Sequence, residues 1–333
     1  MLNLKTAMLT AMLTVALTSA ALAGLAQAQT AYPTKPIRII VPWPAGGTVD
    51  ANGRQMAAYM GQHSGWNLVV ENRPGANSMI GADVVMKSPP DGYTLMFNSS
   101  ALAINQVLYP ERNLNLVRDF TPISNATTTA GSLVAVSAAL PAQSLKEFVA
   151  LAKERASQGK PLAYGSPGVG NGTHLTTELF AMRNGIQLLH VPHQGVAQMV
   201  TSLLQGSIAL IITPGTALGS FVKQGKLRAL AVTGAQRIPL VPDAPTLGEL
   251  GVPGFPIPGS WSGFYGPAKM PADVVAKILA TIRAALQMPK LKESLAASGN
   301  EPVGSSPEEF AKLITSEIER YAEVVRMANI KPE

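Results

Sequence analysis

Short β-rich runs and helical stretches alternate along most of this chain, with glycine, proline and small polar residues at the breaks. Such alternation lays helices on a sheet and leaves few other architectures open. The sharpest instance lies at residues 37–50. Ile37, Ile39, Ile40 and Val41 read as a buried strand, residues 42–47 as a tight Pro/Gly loop, and the residues after it as a helix start. Thr48 or Asp50 can cap that helix, because a short side-chain oxygen accepts a bond from an orphan backbone N–H. Gly46 and Gly47 lack a Cβ, which opens their backbone to a ligand, and the partly positive helix start suits an anion. The same stretch also reads as a plain strand-to-helix turn, and taken alone it leaves both readings open.

Further along, residues 66–70 and 93–97 read as strands and residues 51–62 and 79–86 as helices, which predicts a mostly parallel sheet covered by helices. The pattern loosens between Tyr109 and Ala130, read as the first crossing into a second domain. A new β/α series follows: strands at 133–136, 162–164, 187–191, 208–212 and 227–232, helices at 144–156, 173–182, 196–204 and 218–223. Ser144, with Glu147 three residues on, marks one helix start. Residues 246–250 read as a short helical turn and 255–266 as a Gly/Pro/aromatic stretch. Residues 271–287, 291–298 and 307–327 read as amphipathic core-facing helices.

The chain has 333 residues, enough for two domains; with 47% hydrophobic and 14% charged residues it is globular rather than disordered. Its net charge of +6 comes from scattered Lys and Arg, which argues against nucleic-acid binding. Lys5, the apolar run 7–22 and Ala26-Gln-Ala28 read as a signal peptide over residues 1–28, in preference to an uncleaved anchor. The mature protein is expected to start near Gln29, exported and soluble. Cysteine is absent, which removes disulfides, thiol nucleophiles and Cys-based metal sites and fits a bacterial periplasm.

A catalytic set is not apparent. Ser99, Ser100, Ser166 and Ser262 occupy loops, none within G-x-S-x-G; Gly259-Ser-Trp-Ser-Gly263 puts Trp261 in the nucleophile position. His190 and His193 sit at a strand end without a nearby acid, a poor metal site. The glycines at 165, 168, 170 and 172 do not fit a nucleotide fingerprint. No metal or cofactor is expected. What recurs is strand, small polar loop, helix start: at 42–48, 98–101, 166–173, 193–195 and 213–216. In open α/β sheets ligands bind beyond the carboxyl ends of strands, so two such domains would enclose one cleft.

Tyr32-Pro-Thr-Lys-Pro-Ile-Arg-Ile-Ile-Val-Pro-Trp-Pro-Ala-Gly-Gly47, Val70-Glu-Asn-Arg-Pro-Gly-Ala76, Pro90-Asp-Gly-Tyr-Thr-Leu95, Gly172-Thr-His-Leu175, His190-Val-Pro-His-Gln-Gly195 and Val241-Pro-Asp-Ala-Pro-Thr246 resemble, in order, the Bug family of extracytoplasmic solute receptors of tripartite tricarboxylate transporters. The resemblance implies an α/β, two-domain periplasmic binding protein of type II (Venus-flytrap) with two interdomain crossings. The implied division is residues 29–127 and 236–333 in domain 1 and 128–235 in domain 2. It also implies a small carboxylate ligand, membrane transport subunits as partners, and a monomeric receptor rather than an enzyme. Carried over residue by residue, the ligand set is Trp43, Ala45, Gly46, Gly47 and Thr48 in the first loop, Ser99 and Ser100 nearby, and Ser166, Asn171, Gly172 and Thr173 in the second.

Departures from the family pattern add His193, Gln194 and Thr213 to these candidates. His193-Gln194 stands where the family has Tyr-Lys, exchanging a fixed cation for a titratable imidazole. Thr213 stands where many members are acidic. Trp43 and Trp261 suit an aromatic or partly apolar acid if they reach the cleft, and otherwise serve packing. A ligand sensor for a signalling receptor, or a hydrolase on the same scaffold, are the alternatives.

Overall fold

The structure, a computed structural model, describes residues 32–257 and 259–331; the expected signal peptide at 1–28 lies outside the described residues. The apolar run at 37–41 forms β1 (Ile37–Val41), buried at every residue but Arg38. It pairs in parallel with β2 (Leu68–Asn72) and β3 (Thr94–Ser99). Helices α1 (Thr48–Ser64) and α2 (Met79–Met86) make the connections, and α3 (Ala101–Leu108) follows β3. A short α4 (Leu116–Asp119) leads into β4 (Phe120–Thr129).

A second sheet holds β5 (Ser132–Ser137), β6 (Leu162–Ser166), β7 (Leu188–Pro192), β8 (Leu210–Pro214) and β9 (Leu227–Val232). Its helices are α5 (Leu145–Ser157), α6 (Gly172–Asn184), α7 (Val196–Leu204) and α8 (Gly219–Lys223). The chain then returns to the first sheet with β10 (Trp261–Pro267), α9 (Ala272–Gln287), α10 (Pro289–Ala297), β11 (Asn300–Pro302) and α11 (Pro307–Met327). The strand orders are β11-β4-β10-β3-β1-β2 and β7-β6-β8-β5-β9. Both sheets belong to one compact unit, Pro36–Glu333.

The sheets are mixed, not mostly parallel as the alternation suggests. β10 runs antiparallel to β3 and β4, and β5 antiparallel to β8 and β9. Each is the strand by which the chain enters its sheet after a crossing. It arrives from the side where the parallel strands end, so it must run the opposite way.

β4 and β10 fall where the sequence reads as irregular, because β4 buries polar residues and β10 sets Trp261, Phe264 and Tyr265 among Ser, Gly and Pro. Ser124, Asn125 and Thr127 are buried on β4, which is held by β10, β11 and a bond from Ser124 Oγ to the Ser305 carbonyl (2.8 Å). Residues 247–250 form the single turn expected, closed by a bond from Leu250 N–H to the Thr246 carbonyl (3.2 Å).

The second sheet is buried on both faces. Val134 and Val136 pack with Phe148 and Phe180 under α5 and α6, while Leu133 and Ala135 pack with Met199 and Leu203 under α7. In the first lobe, Phe310 of α11 meets Trp261 edge-on, ring centroids 5.2 Å apart. That apolar cluster crosses to the second lobe, where Leu175 and Leu179 of α6 join Ile104 and Leu108 of α3 and Val324 of α11. An Arg183–Glu323 ion pair (2.9 Å) spans the same seam.

Candidate ligand-binding cleft

The first loop is held by a buried carboxylate. Asp50, in the first turn of α1, accepts bonds from Gly46 N–H (2.9 Å), Arg54 Nε (3.0 Å) and Asn72 Nδ2 (2.7 Å). Burial works against its charge, yet these bonds together keep its carboxyl below the usual range. The helix cap is Gly47 rather than Thr48 or Asp50, so the first amides of α1 are free of side-chain capping. Asn72 Nδ2 also bonds the Trp43 carbonyl (3.0 Å), and the Trp43 indole donates to buried Asn98 (2.8 Å). Trp43 is therefore fixed at both ends. Gly46 sits at φ +82, where a Cβ is strained whether or not a ligand approaches.

The second loop follows β6. Asn171 caps α6 by accepting from Thr173 N–H (2.8 Å). Ser166 is fully buried: its hydroxyl donates to the Gly168 carbonyl (2.9 Å) and lies 2.6 Å from His190 Nε2. A serine that no substrate can reach is poorly placed as a nucleophile, although an imidazole nitrogen lies beside it.

A cavity of about 560 Å³ opens where the strands of both sheets end. Of the sequence-predicted residues, Trp43, Thr48, Ser99 and Ser100 line it from the first lobe and Asn171, Gly172, Thr173 and Thr213 from the second. The starts of α1, α3 and α6 thus face one space, and their outward N–H groups supply partial positive charge from both lobes. Ser and Thr hydroxyls, among them Thr129, Ser132, Thr233, Ser260 and Ser262, make up much of the remaining wall.

Arg320 of α11 is the only charged residue on that wall among the described residues. Its guanidinium lies over the Tyr321 ring (4.9 Å) and 2.5 Å from the buried carboxylate of Glu317. Arg320 and Ser260 do not stand out in the sequence, and Ser262 reads there only as a loop serine. α11 reads there only through its apolar face, and Ser260 and Ser262 alternate with a tryptophan in a stretch that looks like loop.

Six sequence-predicted residues stand off the cavity wall. Ala45, Gly46 and Gly47 form the outer side of the first loop, exposed to solvent. Ser166 lies beneath the second loop. His193 turns toward α7, its Nδ1 on the Val191 carbonyl (2.8 Å) and its Nε2 on Ser202 Oγ (3.0 Å). Gln194 is exposed, its backbone N–H bonded to Gln198. Trp261 is core, not cleft. A second cavity of about 510 Å³, beside Leu227, Arg228 and Asp243, contains none of the candidate residues. Its arginine is committed to the Ala142 carbonyl (2.8 Å). No group of three or more metal-ligating side chains occurs among the described residues.

Residues 53–330 match the model of the tripartite tricarboxylate transporter family receptor. Protein BugT of Bordetella pertussis is 34% identical over 315 residues, covering 93% of this chain and 95% of BugT. Among solved structures, R. palustris Rpa4515 with adipate is 32% identical with a TM-score of 0.75, over 91% of this chain and 100% of that one. MatC from Rhodopseudomonas palustris with bound malate is 26% identical with a TM-score of 0.72, over 88% and 100%.

Proposed function

Because the chain belongs to the tripartite tricarboxylate transporter receptor family, we propose that it is a periplasmic solute-binding protein that captures a small carboxylate in its interlobe cavity and delivers it to membrane transport subunits. One observation carries the ligand class: three helix starts from two lobes converge on one cavity whose only charged wall residue, among those described, is an arginine. Such a wall favours an anion, and its hydroxyls bind carboxylate oxygens without adding charge. Each bond to a charged oxygen contributes about 1.5–3 kcal/mol. A few of them reach the ~8 kcal/mol of micromolar binding after ordering costs.

In this reading Trp43, Thr48, Ser99 and Ser100 hold one side of the ligand and Asn171 to Thr173 with Thr213 the other. Residues 128–235 form the moving lobe, and the segment 1–28 directs export. The bound adipate and malate of the two related receptors support a mono- or dicarboxylate of modest size.

A thermal-shift screen of the purified protein against adipate, malate, aromatic acids and neutral sugars, followed by calorimetry, tests the ligand class. A ligand that binds only the native state raises the melting temperature by mass action. Carboxylates are expected to raise it; shifts with sugars and none with carboxylates would sink the proposal.

A further inference from the structure

Beneath the second-lobe loop lies a stack of titratable rings, Tyr164 and His174 buried and His190 half-buried, none of which lines the cavity. The His174 and His190 imidazoles are parallel, with centroids 3.9 Å apart and planes 9° apart, and Tyr164 stacks on His190 at 5.0 Å. The Tyr164 hydroxyl donates to Glu178 Oε1 (2.5 Å). His193 lies on the other face of β6, beside Gly165, and does not join the stack.

One bond fixes a tautomer: Gly170 N–H donates to His174 Nδ1 (3.0 Å), so the His174 proton is on Nε2, which faces Glu178 Oε1 at 4.0 Å. His190 Nε2 shares a hydrogen bond with Ser166 Oγ (2.6 Å), which in turn bonds the Gly168 carbonyl (2.9 Å) and accepts from Gly168 N–H (3.2 Å). Each ring therefore holds one point of the loop that begins α6: His174 through Gly170, and His190 through Ser166 and Gly168.

We propose that His174 and His190 are positioning residues, a stacked pair that holds residues 167–173 in ligand-binding geometry and so sets the affinity of a cleft whose wall they do not touch. The inference rests on reading that loop as the second-lobe half of the carboxylate site.

Protonating His174 Nδ1 removes the acceptor for Gly170 N–H and sets a cation against a second imidazole. The other titratable groups facing His174 are Tyr164 from β6, His190 from β7 and Glu178 from α6 itself. Burial and then the neighbouring His190 hold the His174 imidazole down to about 4, while burial raises the Glu178 carboxyl. The loop bond is thus kept at neutral pH and lost as pH falls through the His174 value.

Two substitutions separate positioning from bulk. His174→Asn keeps an acceptor at the Nδ1 position without a titrating ring, and His174→Leu keeps apolar volume without the acceptor. Hydrogen–deuterium exchange over residues 166–173 and calorimetry with adipate are read on both at about pH 7.5. The Leu variant is expected to speed loop exchange and weaken adipate by about tenfold or more, while the Asn variant stays within about threefold of wild type. Nitrogen-15 spectra of histidine-labelled protein are expected to show the His174 ring as a neutral Nε2–H tautomer down to about pH 5.5.

Unchanged loop exchange in the Leu variant, equal losses in both variants, or an Nδ1–H tautomer on His174 would overturn the proposal. If His174→Leu does not fold, His190→Gln, whose amide can bond Ser166 Oγ as donor or acceptor, is compared with His190→Leu by the same criteria. If adipate and the rest of the screen fail on wild type, the carboxylate reading fails, while exchange and spectra still decide the role of the two rings.

Discussion

Arg320 and Glu317 show how one residue pair links binding to stability. Arg320 faces the cavity, and Glu317 behind it is buried and depends on that guanidinium for charge compensation. Removing one partner of a buried ion pair costs about 3–5 kcal/mol, whereas replacing both by apolar residues is often neutral. Arg320→Met is therefore expected to lower urea stability by that amount and to weaken carboxylate binding. Adding Glu317→Met should recover most of the stability and none of the affinity. A double variant that binds adipate as tightly as wild type would exclude Arg320 from ligand attraction. The sequence carries no local sign of this pair, because a helix three turns from its start presents charged residues on its outer face as a matter of course.

At the scale of elements, the crossings between sheets are narrower than their sequence suggests. Ser132 N–H bonds Thr233 Oγ1 (2.8 Å), Thr233 N–H bonds the Ser132 carbonyl (2.9 Å), and Thr129 N–H bonds the Ser260 carbonyl (2.9 Å). Outgoing and returning segments thus run side by side. A Cβ on Gly234 would lie 1.9 Å from the Ala130 carbonyl oxygen. Gly234→Ala is expected to destabilise the protein by at least about 1–3 kcal/mol through overpacking, measured by urea unfolding; a neutral result would mean that the two segments separate easily. Glycine at this position is legible in the sequence, but its reason is not. Two segments a hundred residues apart must first be brought together.

For the whole molecule, the lobes are joined by more than their crossings. Leu175 and Leu179 of α6 are buried against α3 and α11, so part of the seam between the lobes is a dry core. The Arg183–Glu323 pair on its rim is half-exposed and contributes about 0–1 kcal/mol. Leu179→Ala removes buried volume from that seam and is expected to cost about 2–5 kcal/mol. It should also widen the ligand-free particle in solution scattering, with adipate reversing part of the change. An unchanged radius with full loss of stability would show that the seam supports the fold without restraining the lobes.

Several features of this chain are written in local chemistry. The α/β class follows from apolar runs punctuated by Gly and Pro, because side-chain period and turn residues act over a few positions. Thr48, Ser99, Ser100, Asn171, Gly172 and Thr173 were legible as cleft residues for the same reason: each sits where a strand hands over to a helix, and that junction is local. The family resemblance, carried by motifs in order, extended this to the two-domain architecture. Tertiary structure alone decided the rest. β4 and β10 are strands because neighbours pair their backbones, although β4 buries polar side chains and β10 breaks its aromatics with Gly and Ser. Direction also belongs to the fold: His193, in a loop where a strand hands over to a helix, points to α7, while Arg320, within a long helix, reaches the cavity. Which way a side chain faces depends on the packing of segments distant in the chain, and the pattern of any short stretch contains no record of that.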